Sequence, residues 1–246
     1  MTSNDFSADF AEDMPSLVRR TVALAGTMCG HCAPWHGTWP ARRLAGSTRS
    51  VDSDRAVLGP LFRELAAGRS GDAWLIAGSA DTGLLATVAA SLGAAARSFH
   101  FTVVDLCATP LELCKEYAAR TGLQLDVARS DILGFVPRRK PHVVFGHSVL
   151  AHMPPDSRAE GVVRFHDWLA PGGALVSVTS VDRQPEPDRT AAEVNNIDQK
   201  RKIQHGLLTY ALIQDGLLSL RADRNDDKVI LLPEWLEYGV IGVPKL

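Results

Sequence analysis

Residues 73 to 82 read Ala73-Trp74-Leu75-Ile76-Ala77-Gly78-Ser79-Ala80-Asp81-Thr82, and this stretch decides the fold. An unbroken apolar run suits a strand buried on both faces, and the small residues after it suit a tight turn into a helix. A second apolar run, Phe101 to Val104, ends on an acid, Asp105. That pairing is the layout of a nucleotide or nucleoside cofactor site in a doubly wound sheet. Backbone must approach the cofactor closely at the first turn, and a carboxylate at the tip of the next strand can accept both hydrogen bonds of a ribose diol. The turn is not Gly-x-Gly-x-x-Gly and carries no phosphate-binding Lys. Asp81, at the start of the helix, would repel a pyrophosphate, whereas a cationic or zwitterionic nucleoside tolerates an acid there.

Outward from this turn, strand and helix alternate. Strands are expected at Ala73–Ala77, His100–Val104, Gln124–Ala128, His142–Phe145 and Ala174–Thr179, with helices at Gly83–Ala94, Pro110–Arg120 and Asp156–Leu169. Thr109-Pro110 reads as a cap followed by proline at the first helical position. Apolar strands alternating with helices make an α/β fold, a mostly parallel sheet covered on both faces. Upstream, helices are expected from Met14 to Ala25 and from an N-cap at Ser53 to Ala67. Downstream, a helical stretch is expected from Thr190 to Ala222, and strands six and seven are hard to find in Lys228–Leu246.

The chain has 246 residues, 46% of them hydrophobic, and a net charge of −2. It can bury a large core and has no electrostatic footprint for nucleic acid. The N-terminus has no signal-peptide pattern and no apolar run reaches membrane-span length, so a cytoplasmic, soluble protein is expected. Its four cysteines, Cys29, Cys32, Cys107 and Cys114, are expected as reduced thiols.

Two further segments fall at the same sheet edge. Ser130-Asp131-Ile132 follows the third strand, where an acid can accept from an exocyclic adenine amine. His147-Ser148 ends the fourth strand, and Leu169-Ala170-Pro171-Gly172-Gly173 introduces the fifth. In this order the chain resembles the class I S-adenosylmethionine (SAM) dependent methyltransferases, from Ala73 to Thr179. The resemblance implies a Rossmann-like sandwich with SAM as cofactor. Gly78, Ser79 and Ala80 would line its methionine part, and Asp81 would meet its amino group. Asp105 would hold the ribose hydroxyls, Leu106 and Ile132 would sandwich the adenine, and Asp131 would sit near its amine. His147 and Ser148 would face the sulfonium, with His147 as catalytic base for a hydroxyl acceptor. The family's usual acid at the end of strand one is replaced by Ile76 or Ala77, and its later glycines by Ala80 and Thr82.

On this reading residues 1–13 form a disordered tail, 14–70 an N-terminal helical lid, 71–182 the SAM-binding core and 183–246 a helical cover with the end of the core. His36, Trp39 and Arg43 are expected in the lid near the substrate, with His152 and Asn195 as further substrate residues and Tyr210 as a second catalytic candidate. Cys29-Gly30-His31-Cys32 has redox-motif spacing and could ligate zinc with His31 and His36, but a fourth ligand would have to come from elsewhere, and no metal is expected. The expected function is methyl transfer from SAM to a small molecule of secondary metabolism. Two alternatives remain. One is a cyclase that converts SAM itself to azetidine-2-carboxylate and methylthioadenosine; the other is a non-catalytic SAM-binding subunit. Monomer and homodimer are both open.

Overall fold

The computed structural model describes residues 7–46 and 48–179, together with the backbone of 218–219 and 230–231. The chain divides into two compact units, residues 1–12 with 50–180, and residues 13–49 with 181–246.

The larger unit is built on a five-stranded, wholly parallel sheet in the order β3-β2-β1-β4-β5. Its strands are β1 (Ala73–Ala77), β2 (His100–Asp105), β3 (Gln124–Arg129), β4 (Val143–His147) and β5 (Ala174–Val178). The chain runs outward from β1 to β3 and then returns to place β4 on the other side of β1. The β1/β4 gap is therefore the topological switch point, where ligands gather beyond the strands' carboxyl ends. This is the doubly wound α/β fold expected from the sequence.

Strand residues alternate between two apolar layers. Trp74, Ile76, Phe101, Val103 and Phe145 face one of them, together with Leu58 and Phe62 of α3 (Val51–Ala66), Leu85 and Val88 of α4 (Gly83–Leu92) and Leu111 and Tyr117 of α5 (Ala108–Thr121). Leu75, Ala77, Val104 and Val144 face the other, under Phe165 and Trp168 of α7 (Arg158–Trp168). A short helix, α6 (Val149–His152), follows β4. Phe62 lies edge-on to Trp74 and to Phe145, with ring centroids 5.8 and 5.0 Å away. Helix α4 is buried on nearly every side, as its mostly apolar sequence requires. Helix α3 packs along it, and Arg55 and Arg63 reach from α3 to Thr87 Oγ1 (3.3 Å) and the Ser91 carbonyl (3.5 Å) of α4.

In the smaller unit α1 (Met14–Met28) packs against α2 (Ala33–Leu44). Asp13 caps α1, its carboxylate accepting the Ser16 N–H at 3.1 Å. A two-residue parallel pair, β6 (Leu218–Ser219) and β7 (Ile230–Leu231), also belongs to this unit. No helix among the described residues is long and apolar enough to cross a membrane.

Several boundaries differ from the sequence reading. Residues 7–12 are not a loose tail: Phe10 is buried in the core, and the Tyr117 hydroxyl donates to its carbonyl at 2.7 Å. Helix α3 is capped three residues earlier than expected, because Ser50, not Ser53, adopts the extended cap backbone and accepts the Asp52 N–H. It packs on the sheet and belongs to the larger unit, apart from residues 13–49. Helix α2, for which the sequence reading gave no bounds, runs through Gly37 and Pro40, both poor helix formers. Cys107, not Thr109, caps α5, and Pro110 falls within its first turn, where a missing N–H costs nothing. The expected helix at Thr190–Ala222 lies outside the described residues, except that residues 218–219 are strand.

Candidate functional site

The turn after β1 is shaped by one glycine. Gly78 has φ +71°, a left-handed backbone that side chains rarely adopt, and a Cβ there would stand 2.8 Å from Val149 Cγ2. Gly146, at the end of β4, is cornered by the same valine, with 2.7 Å to Cγ1. Glycine at both positions lets β1 and β4 end close together under Val149. Changing Gly78 to Ala is expected to lower stability by about 1–2 kcal/mol from the backbone alone, with displacement of Val149 added to that. Urea unfolding measures the change.

The loop is organised by carboxylates. Asp105, at the tip of β2, accepts the Ser79 N–H at 2.8 Å on one oxygen and the Cys107 N–H at 2.7 Å on the other. Asp81 is buried and accepts the Gly83 N–H at 2.7 Å, satisfying a donor at the start of α4. The Thr82 hydroxyl donates to Glu12, whose carboxylate also pairs with Arg55 at 3.7 Å. Burial first, and then the charges of Asp81, Glu12 and Asp105, push the Cys114 thiol well above its usual range. The turn thus has a negative field. It disfavours a pyrophosphate and favours a ligand carrying positive charge. Native protein is expected to leave Cys114 unmodified by iodoacetamide while the unfolded chain is alkylated there, as read by peptide mass.

Beyond β3, Asp131 is exposed, and its side chain accepts the Leu133 N–H at 2.8 Å to set the turn that carries Ile132. Ile132 is half-buried, and Leu106 is 67% exposed beside Asp105. The Ser130 N–H donates to the Asp105 carbonyl at 3.0 Å, which ties the third strand's end to the second's. Two apolar side chains and two acids therefore share one edge of the sheet.

His147 closes β4. Its Nε2 lies 2.9 Å from Asp54 Oδ2 on α3, and the side chains are only 9% and 16% exposed, so solvent screens the pair little. A hydrogen bond to a carboxylate fixes Nε2 as the protonated nitrogen and leaves Nδ1 as the basic one. Nδ1 lies 3.4 Å from Ser148 Oγ. Ser148 has φ 60°, the one positive φ outside glycine among the described residues, and its N–H is held by the Val178 carbonyl at 2.7 Å. Such strain concentrates at functional sites. The unit can hold a proton on the imidazole while the carboxylate balances the charge.

Ten sequence-identified positions thus meet at one sheet edge: Gly78, Ser79, Ala80, Asp81, Asp105, Leu106, Asp131, Ile132, His147 and Ser148. His152 ends α6, where desolvation lowers its imidazole below the ordinary range. His36, Trp39 and Arg43 lie on α2 of the smaller unit, His36 and Arg43 buried and Trp39 half-buried. Asn195 and Tyr210 lie outside the described residues. Asp54 was missed, since nothing local distinguishes it from another acid in a helix's first turn. Pro171-Gly172-Gly173 lies at the opposite end of β5. Gly172 has φ +71°, and a Cβ on Gly173 would stand 2.8 Å from the His142 carbonyl, so this motif shapes a turn rather than a site.

No family model and no curated protein matches the chain. Among solved structures it is similar to the N-methyltransferase NodS from Bradyrhizobium japonicum WM9, in complex with S-adenosylhomocysteine, at 16% identity. That match covers 68% of this chain and 72% of the other, with a TM-score of 0.41. A DhpI complex with SAM is similar at 19% identity, over 81% of this chain and 73% of that one, with a TM-score of 0.42. Coclaurine N-methyltransferase, bound to N-methylheliamine and S-adenosylhomocysteine, is similar at 14% identity. There the match covers 72% of this chain and 57% of the other, with a TM-score of 0.47.

Proposed function

We propose that this chain is a SAM-dependent methyltransferase that acts on a small molecule of secondary metabolism. The observation that carries the proposal is the negatively charged, glycine-cornered turn at Gly78–Asp81 beside Asp105, at the switch point of a parallel sheet. Its donor and acceptor set fits a cationic nucleoside: carboxylates at the ribose and amine positions, apolar Leu106 and Ile132 for a ring, and no lysine in the turn. SAM, when bound, supplies a methyl group activated by a sulfonium.

Asp105 holds the ribose diol while its backbone contacts keep the Ser79 loop in place. Asp131 meets the adenine amine, and Gly78, Ser79 and Ala80 let the backbone approach the methionine part. His147 takes the proton of a hydroxyl acceptor at Nδ1, and Asp54 balances the imidazolium that results. Positioning and exclusion of water supply the rest of the acceleration. The net charge of −2 argues for a small-molecule acceptor rather than nucleic acid.

Incubation of the full chain with SAM, with and without a filtered small-molecule cell extract, tests the reading. S-adenosylhomocysteine that forms only with the extract supports methyl transfer. Methylthioadenosine formed from SAM alone, or binding without either product, overturns it.

A further inference from the structure

The Cys29-Gly30-His31-Cys32 segment takes no part in the function proposed above, and its geometry is specific. Cys29 caps the end of α1, its N–H bonded to the Ala25 carbonyl at 3.2 Å. Cys32 caps the start of α2, and His36 lies one turn further on, its N–H donating to the Cys32 carbonyl at 3.1 Å. That i,i+4 spacing puts Cys32 and His36 on one face of α2. The short connection turns Cys29 back onto them. Cys29 Sγ stands 3.5 Å from His36 Nδ1, and the three ligand atoms lie within 4.8 Å of one another.

We propose that Cys29, Cys32 and His36 bind a zinc ion that joins α1 to α2. Zinc–sulfur and zinc–nitrogen bonds of about 2.3 and 2.05 Å set a tetrahedral S···N edge of about 3.6 Å and an S···S edge of about 3.8 Å. The observed S···N separation already matches the first, and closing the others round an ion takes movements of about 1 Å. Two thiolates and an imidazole select zinc over magnesium or calcium. On binding, Cys29 and Cys32 each release a proton to solvent, and His36 binds as neutral imidazole, so the ion and these ligands sum to zero charge. The positive end of the α2 dipole adds to the attraction for the Cys32 thiolate. A fourth position remains for water or a further protein ligand. His31, exposed in the connection, is outside the cluster.

The test uses the full chain, expressed with zinc in the medium and purified under reducing conditions. Elemental analysis should find about one zinc per chain, falling at least tenfold in Cys29→Ser and in His36→Ala and remaining in His31→Ala. Cobalt(II) added to metal-stripped wild-type protein should give thiolate-to-cobalt charge-transfer absorption and the intense visible bands of a tetrahedral centre. This second measurement decides the matter even where a variant fails to fold. Wild-type protein that holds no zinc and shows no cobalt spectrum would overturn the proposal. So would variants that keep full zinc.

Discussion

Replacing His147 with Ala is expected to lower kcat for a hydroxyl acceptor by roughly 10²–10⁴-fold, the usual contribution of a positioned general base, while leaving the KM for SAM nearly unchanged. Two geometric facts support this proposed role. It ends the strand on the far side of the switch point from Gly78, and its Nε2 is held 2.9 Å from Asp54. Asp54→Asn is expected to cost less, about 10- to 100-fold, because a charged hydrogen bond is worth about 1.5–3 kcal/mol. Steady-state kinetics with SAM saturating separates these outcomes. An unchanged kcat with a hydroxyl acceptor in His147→Ala would remove the base from the mechanism.

Loss of the Asp105 carboxylate is expected to have the largest effect on binding. Asp105→Ala should raise the Kd for S-adenosylhomocysteine by at least about 100-fold, because two charged hydrogen bonds to a diol are each worth about 1.5–3 kcal/mol. The same side chain accepts the Ser79 and Cys107 N–H groups, so the alanine variant also loosens the turn that carries Gly78. Asp105→Asn separates the two contributions. Its amide oxygen retains one acceptor of similar shape, so its thermal stability should stay nearer wild type while its affinity still falls. Calorimetric titration beside thermal unfolding measures both.

The sheet was legible because its signal is local and repeated. Apolar runs such as Trp74-Leu75-Ile76-Ala77 suit only a strand buried on both faces, and each ends at a small or acidic residue that marks the same edge. The acids and small residues of the candidate site could be placed for the same reason, being fixed to strand ends. What stayed hidden depends on tertiary contact. Asp54 gains its meaning only when α3 packs beside β4. Phe10 sits in a polar, acidic stretch, yet it is buried to 1% exposure because a short turn returns it to the core. Helix α2 persists through Gly37 and Pro40, where local propensity argues against it. Pro171-Gly172-Gly173 was a guide to the fold, and its physical cause proved to be a crowded turn at the end of the sheet away from the site.

The most direct test of the central claim is calorimetric titration of the full chain with S-adenosylhomocysteine, SAM and NAD in parallel. The negative turn and the Asp105 carboxylate predict one-to-one binding of both sulfur nucleosides and no measurable heat with NAD. Failure to bind either sulfur nucleoside, or binding of NAD in their place, would contradict the account.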